Sequence, residues 1–230
     1  MERHNMILHV TRHGQTSKDK SHQPEDPYLS ELGRKQAQLL GQRLKDLNFQ
    51  GPIYSSPYLR TIETADVIAE VLDTVIIPTA AMREYFIREN QLAGFQGATV
   101  ADLQTTYSRV QTPPDFPYPW WTTQIESNDM IEARVAPLIN TLTDGASDAL
   151  LVGHGASVTG VHRYVLRNHA PEHANHGKRG WNCVLSSFQF TPQFKIIHLL
   201  DTDHLPDDVI TNNAKSRAQV LQESPEQNDI

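Results

Sequence analysis

The run Ala149-Leu150-Leu151-Val152 stops at Gly153-His154-Gly155 and passes straight into a helix-length stretch that reaches Asn168. A continuous apolar run of strand length, closed by glycines and feeding a helix, fits a strand covered on both faces. Such strands belong to parallel sheets with helices packed on each side. The same arrangement recurs upstream. Met6-Ile7-Leu8-His9-Val10 ends at Thr11-Arg12-His13-Gly14, and Ile53-Tyr54-Ser55 leads into Ser56-Pro57, where proline opens a second helix. Val75-Ile76-Ile77 reads as a third short strand. Residues 30–47 read as a helix capped by Ser30, with Leu32, Leu40, Leu44 and Leu47 on one face. The helix after Pro57 turns Ile62, Ala65, Ala69 and Leu72 inward. Residues 127–143 read as another helix, which Pro137 should kink. Residues 184–190 and 195–200 read as closing strands. Strands alternating with helices predict an α/β fold: a three-layer sandwich around a mostly parallel sheet, with function at the strands' carboxyl ends.

Between these regular halves lies an irregular section, roughly 85–126, with a short helix near 100–108 and the run TPPDFPYPWW. It is predicted to form an inserted cap over the sheet's carboxyl edge. Residues 1–205 then make one domain. Residues 206–230 turn polar and acidic without periodicity and are expected to form a flexible tail. Seven acids against two bases give the last 30 residues a net charge of −5, out of −7 for the whole chain. The nearly neutral remainder excludes a general nucleic-acid-binding surface. A single cysteine, Cys183, excludes an intrachain disulfide and fits a reducing compartment. No apolar run approaches a membrane span, and the opening MERHNMILHV is too short and polar for a signal peptide. A soluble cytoplasmic protein is expected, with its oligomeric state left open.

Chemistry concentrates at the predicted strand ends. His13 and His154 directly follow apolar strands, Arg12 precedes His13, and Arg60 falls in the first turn of the helix after Pro57. In an open parallel sheet these positions converge on one crevice. Two guanidinium forks, two imidazoles and a helix N-terminus make a site for a phosphate dianion. Glycines at 14, 153 and 155 let the backbone come close to a ligand. An imidazole among cations keeps a ring nitrogen unprotonated near neutrality, so one histidine could attack phosphorus in line and become a phosphohistidine. The arginines would offset charge on the equatorial oxygens.

Five segments now carry a resemblance. Arg12-His13-Gly14-Gln15-Thr16, Asp26-Pro27-Tyr28-Leu29-Ser30-Glu31-Leu32-Gly33, Ser55-Ser56-Pro57-Tyr58-Leu59-Arg60, Glu126-Ser127 with Arg134, and Leu151-Val152-Gly153-His154-Gly155 resemble the histidine phosphatase superfamily. This is the phosphoglycerate mutase-like group with the Arg-His-Gly signature, and the resemblance spans roughly residues 6–200. It implies His13 as the phosphate-accepting nucleophile, with Arg12, Arg60 and His154, beside Gly155, gripping the phosphoryl group. It further implies a carboxylic acid after the third strand. Counting forward from Arg60 nominates Glu84; counting back from Gly97, in Phe95-Gln96-Gly97, nominates Glu89, and we adopt Glu84.

The implied activity is hydrolysis of a small phosphomonoester without metal or cofactor. The alternatives are phosphoglycerate mutase-like transfer and a catalytically silent phosphate-binding module. Ser17-Lys18-Asp19 replaces the Trp-Asn that mutases carry after this signature, which argues against the mutase. The remaining candidates take plainer readings. His162, His169, His173 and His176 are read as solvated loop histidines rather than a zinc site. Trp120-Trp121 are read as the cap's own core, Cys183 as a small core residue, and Arg83, Arg88 and Arg109 as exposed.

Overall fold

Successive side chains of a strand point to opposite faces, and the central strand of this protein shows what that does for the core. Leu150 and Val152 enter one apolar cluster, while Ala149 and Leu151 enter a second on the other side of the sheet. The computed structural model describes residues 6–19, 25–86, 95–145, 147–174, 180–213 and 215–223. Its main sheet contains β1 (Ile7–Arg12), β2 (Ile53–Ser55), β3 (Ile76–Pro78), β4 (Ala149–Gly153), β5 (Leu185–Gln189) and β6 (Lys195–Asp201), in the order β3-β2-β4-β1-β5-β6. The first four in that order run parallel, and β5 and β6 close the sheet antiparallel. The α/β sandwich around a mostly parallel sheet is therefore the fold observed.

The larger helices are α1 (Glu31–Asp46), α2 (Leu59–Leu72), α3 (Val100–Thr106), α4 (Asn128–Thr143) and α5 (Gly155–His169). Leu40 and Leu44 of α1 and Ile62, Ala65 and Ile68 of α2 cover the face carrying Leu150 and Val152. Val135 and Ile139 of α4 and Val158, Val161 and Val165 of α5 cover the opposite face. Each buried leucine, isoleucine or valine here contributes about 1.5–3 kcal/mol by leaving water, and with both faces covered all five residues of β4 are buried. Ser30 caps α1 as its sequence suggests, its Oγ accepting from the Gly33 N–H at 3.0 Å.

Several details depart from the sequence reading. α2 begins at Leu59, two residues beyond Pro57, because Asp26 Oδ1 reaches across to accept the Leu59 N–H at 2.7 Å. α4 runs on through Pro137, which sits on the exposed side where water can satisfy the freed carbonyl. The inserted section is not all cap. Leu103, Tyr107 and Val110 join the α1/α2 core, and Val110 bridges Ile76 at the sheet edge. The cap proper packs Phe86, Phe95 and Trp120 onto Tyr58, which precedes α2, with Trp120 Nε1 donating to Ala98 O at 2.8 Å. A Cβ on Gly97 would lie 2.0 Å from the Trp120 ring, so only glycine fits beneath it.

The tail boundary at 206 is also corrected. Leu205, Val209 and Ile210 are buried with Trp181 and Val184, and Leu32 of α1 turns toward this cluster rather than the main core. Two short strands, β7 (Thr211–Asn212) and β8 (Lys215–Ser216), pair antiparallel, and α6 (Arg217–Glu223) follows. Exposed Asp207 and Asp208 set the composition of this stretch and hid three apolar anchors that have no helical or strand period. Residues 224–230 lie outside the described residues. No described helix is long and apolar enough to cross a membrane.

Candidate active site

Parallel strands end side by side, and the loops leaving them meet above the sheet. Arg12, His13, Arg60, Glu84 and Gly155 line one cleft there, of about 820 Å³, and His154 lies beneath its floor, fully buried. Thus the six residues singled out in the sequence come together. Glu89, the other carboxylate considered, lies outside the described residues, as does Arg88.

His13 sits one residue past β1. Its backbone N–H donates to Gly153 O at 2.9 Å, and its carbonyl accepts from Asn182 Nδ2 at 2.9 Å, so both sides of the peptide are held. Its ring Nδ1 lies 2.7 Å from Gly14 O. A carbonyl can only accept, so Nδ1 carries the proton and Nε2 keeps a free lone pair. Burial chiefly, then the charges of Arg12 and Arg60, hold the His13 pKa well below the usual imidazole range. His154 is lowered in the same way, by burial first and then by Arg60. Its Nε2 is 2.8 Å from Ser56 Oγ, its ring stands edge-on to His13 at 5.4 Å, and its buried Nδ1 has no hydrogen-bond partner. That atom faces Glu84 Oε2 at 3.5 Å.

Arg60 is held from several sides. Its Nη1 donates to Glu25 O at 2.7 Å and lies 3.6 Å from Asp26 Oδ1; its Nη2 lies 3.6 Å from Glu84 Oε2. The guanidinium also lies over the Tyr58 ring at 4.6 Å. Burial pushes the Asp26 carboxyl up to about 7, against the pull of Arg60. A Cβ at Gly155 would meet nothing within 4 Å, so a side chain there would occupy ligand space at the N-terminus of α5. Asp19, which could have repelled an anion, is exposed and does not line the cleft.

Glu84 follows a 3₁₀ turn, Ala80–Met82, that leaves β3. The turn is fastened by a buried triad. Arg134 clasps Glu126 through Nε and Nη2, both at 3.0 Å, and Arg83 Nη2 adds a third contact at 2.7 Å. Arg134 Nη1 then donates to Ala81 O at 2.6 Å and Arg83 O at 3.1 Å, while Thr122 Oγ1 donates to Glu84 O at 2.6 Å. Arg134, clasped by Glu126, therefore fixes the backbone leading into Glu84 and Thr122 holds the Glu84 carbonyl, and Arg83 belongs to this network rather than to the exposed surface. Removing one member of a buried ion cluster strands the others, so Glu126→Gln is expected to cost about 3–5 kcal/mol in urea unfolding. A loss below about 1 kcal/mol would mean that solvent screens the triad.

The sequence did not single out Ser56, Asn182 or Asp26 for roles of their own. Ser56 and Asp26 lay inside motifs whose other residues drew notice; Asn182, between Trp181 and Cys183, had no pattern to mark it. The histidine-rich stretch also differs from its reading. His162 is buried in α5 against Phe188; His169 is exposed, as expected, but ends α5 rather than lying in a loop and stacks on Phe194 at 4.8 Å. His176 lies outside the described residues. Among the described residues no group of three or more His, Cys, Asp or Glu converges as a metal ion requires.

Comparison with known proteins places this arrangement. A model of the histidine phosphatase superfamily (branch 1) matches residues 8–203. Among solved structures, the ecdysone phosphate phosphatase from Bombix mori, in complex with tungstate, superimposes with a TM-score of 0.67 at 17% identity, covering 94% of this chain and 99% of that one. Mycobacterial glucosyl-3-phosphoglycerate phosphatase gives 0.58 at 23% identity, covering 86% and 100%. A phosphoserine phosphatase mutant from Entamoeba histolytica, in complex with phosphoserine, gives 0.57 at 22% identity, covering 87% and 100%. No curated protein matches the sequence significantly.

Proposed function

The chain belongs to the histidine phosphatase superfamily, branch 1, and from that premise we propose that it hydrolyses a small phosphomonoester through a phosphohistidine on His13, without a metal ion. The observation that carries the reading is the His13 ring. Its Nδ1 is committed to Gly14 O, and its free Nε2 belongs to a residue lining the same cleft as two arginines. In the first step Nε2 attacks phosphorus as the ester P–O bond breaks. Arg12 and Arg60 hold the equatorial oxygens and offset their charge, with the N-terminus of α5 adding free N–H groups. The leaving oxygen takes a proton from Glu84. In the second step the Glu84 carboxylate removes a proton from water, which attacks the phosphohistidine and releases inorganic phosphate and free His13.

The phosphatase neighbours support hydrolysis over transfer, as does Ser17-Lys18-Asp19 in place of the mutase Trp-Asn. Turnover of an aryl phosphate by the whole protein tests the reading. Activity is expected to persist in EDTA, because two guanidinium groups already supply the charge neutralisation a divalent ion would bring, and vanadate is expected to inhibit. Strong inhibition by EDTA, reversed by zinc or magnesium, would overturn metal independence. Phosphate binding with no turnover would identify a silent module instead.

A further inference from the structure

The family match ends at residue 203, yet the cleft does not. Asn212, the last residue of β7, and Asn213, which follows it in the β7–β8 hairpin, line it on the side of Arg12. Their placement is over-determined. Gln36 Nε2 donates to Val209 O at 2.6 Å and Thr211 Oγ1 at 2.8 Å, and Gln15 Nε2 donates to Asn213 O at 2.7 Å. Asn182 Oδ1 accepts from the Asn213 N–H at 2.6 Å, while its Nδ2 reaches His13 O. One side chain thus ties the hairpin to the backbone of His13.

Asn212 faces Arg12. The Arg12 Nη1 donates to Asn212 Oδ1 at 2.5 Å and to the Gly180 carbonyl, and its Nε is buried without a hydrogen-bond partner. A guanidinium is a donor only, so the amide must present its oxygen. Both acceptors on this arginine are neutral. Arg60, by contrast, has two carboxylates within 4 Å. An amide fixes the direction of the fork without cancelling its charge. A carboxylate in the same place would fix it as well or better, but would neutralise Arg12 and repel an incoming dianion.

We infer that Asn212 is a positioning residue for Arg12 and a specificity element of the cleft, its neutral amide keeping Arg12 aimed and fully charged for a phosphate dianion. The inference rests on the phosphatase reading above, and it extends the working site past the family's boundary into a segment whose acidic composition marked it as a tail.

The test compares Asn212→Asp and Asn212→Ala in the full chain, using inorganic phosphate and vanadate as probes and calorimetry as the readout, so that no turnover is needed. The inference gives the affinity order Asn, then Ala, then Asp. Asp is expected to bind phosphate about tenfold or more weaker than the parent, and Ala about two- to fivefold weaker. A merely structural role gives another order, since aspartate has the shape of asparagine and accepts more strongly from arginine. Thermal unfolding, run beside the titrations, should rank Asp at or above Ala. Phosphate affinity for Asp equal to or better than for Ala would overturn the inference. Should Asn212→Asp fail to fold, Asn212→Ala decides alone, and affinity within error of the parent would overturn it. Failure of the parent itself to bind phosphate or vanadate would instead overturn the phosphatase reading.

Discussion

His13→Ala is expected to lower turnover of any phosphomonoester by about 10⁴-fold or more, because it removes the ring whose Nε2 is proposed to attack phosphorus in the cleft lined by Arg12 and Arg60. The fold should survive, since the residue's backbone contacts to Gly153 and Asn182 do not involve the ring. Brief reaction of the parent with labelled substrate should mark His13, and the label should be lost in acid and survive alkali, as a phosphoramidate does. Label on a serine, or an active His13→Ala, would end the phosphohistidine mechanism. The same residue sets a pH expectation. Its pKa is lowered from 6.5 by burial and by Arg12 and Arg60, so the ring stays neutral as pH falls through 6.5 and accepts a proton only well below that value. The acid limb of kcat/KM, corrected for the substrate's own second ionisation, should therefore lie below pH 6.5. A limb at or above it would mean that the pocket does not hold the nucleophile neutral.

What was legible in the chain follows from how local each signal is. The four apolar residues at 149–152 announce a doubly covered strand because hydrophobicity and length suffice for that inference, and β4 sits at the centre of the parallel set. The histidines and arginines were legible because a strand end or a first helical turn fixes a side chain's place within a residue or two. Long-range devices were not. Asp26 caps a helix that begins 33 residues later, and nothing around Leu59 shows that its N–H is served from elsewhere. Val209 and Ile210 are anchors only because Trp181, Val184 and Leu32 pack against them, a fact that belongs to the assembled core. Asn182 is the clearest case. An isolated buried amide has no periodicity, and its importance arises from four groups brought to it by two separate segments, one at His13 and one at residues 211–213.

The acid is where sequence spacing left two candidates; Glu89 lies outside the described residues, and the position of Glu84 suits the role. Glu84 Oε2 lies 3.6 Å from Arg60 Nη2 and 3.5 Å from His154 Nδ1, so it already stands against the groups proposed to hold the phosphoryl unit. Its side chain is 23% exposed, open enough for the water that the second step consumes. The triad of Glu126, Arg134 and Arg83 fixes the backbone that carries it. An alkoxide leaving group cannot depart without a proton, whereas a phenolate can. Glu84→Gln should therefore slow phosphorylation of His13 by an alkyl phosphate about 10²–10⁴-fold and leave phosphorylation by an aryl phosphate nearly unchanged. Because the same carboxylate serves as base on water, the variant should release one equivalent of phenol in a burst and then turn over slowly as phosphohistidine accumulates. Stopped-flow phenol release read against alkyl phosphate turnover separates the two steps. If Glu89→Gln gives the burst and Glu84→Gln does not, the proton comes from the cap, and the 3₁₀ turn after β3 only shapes the floor beneath it.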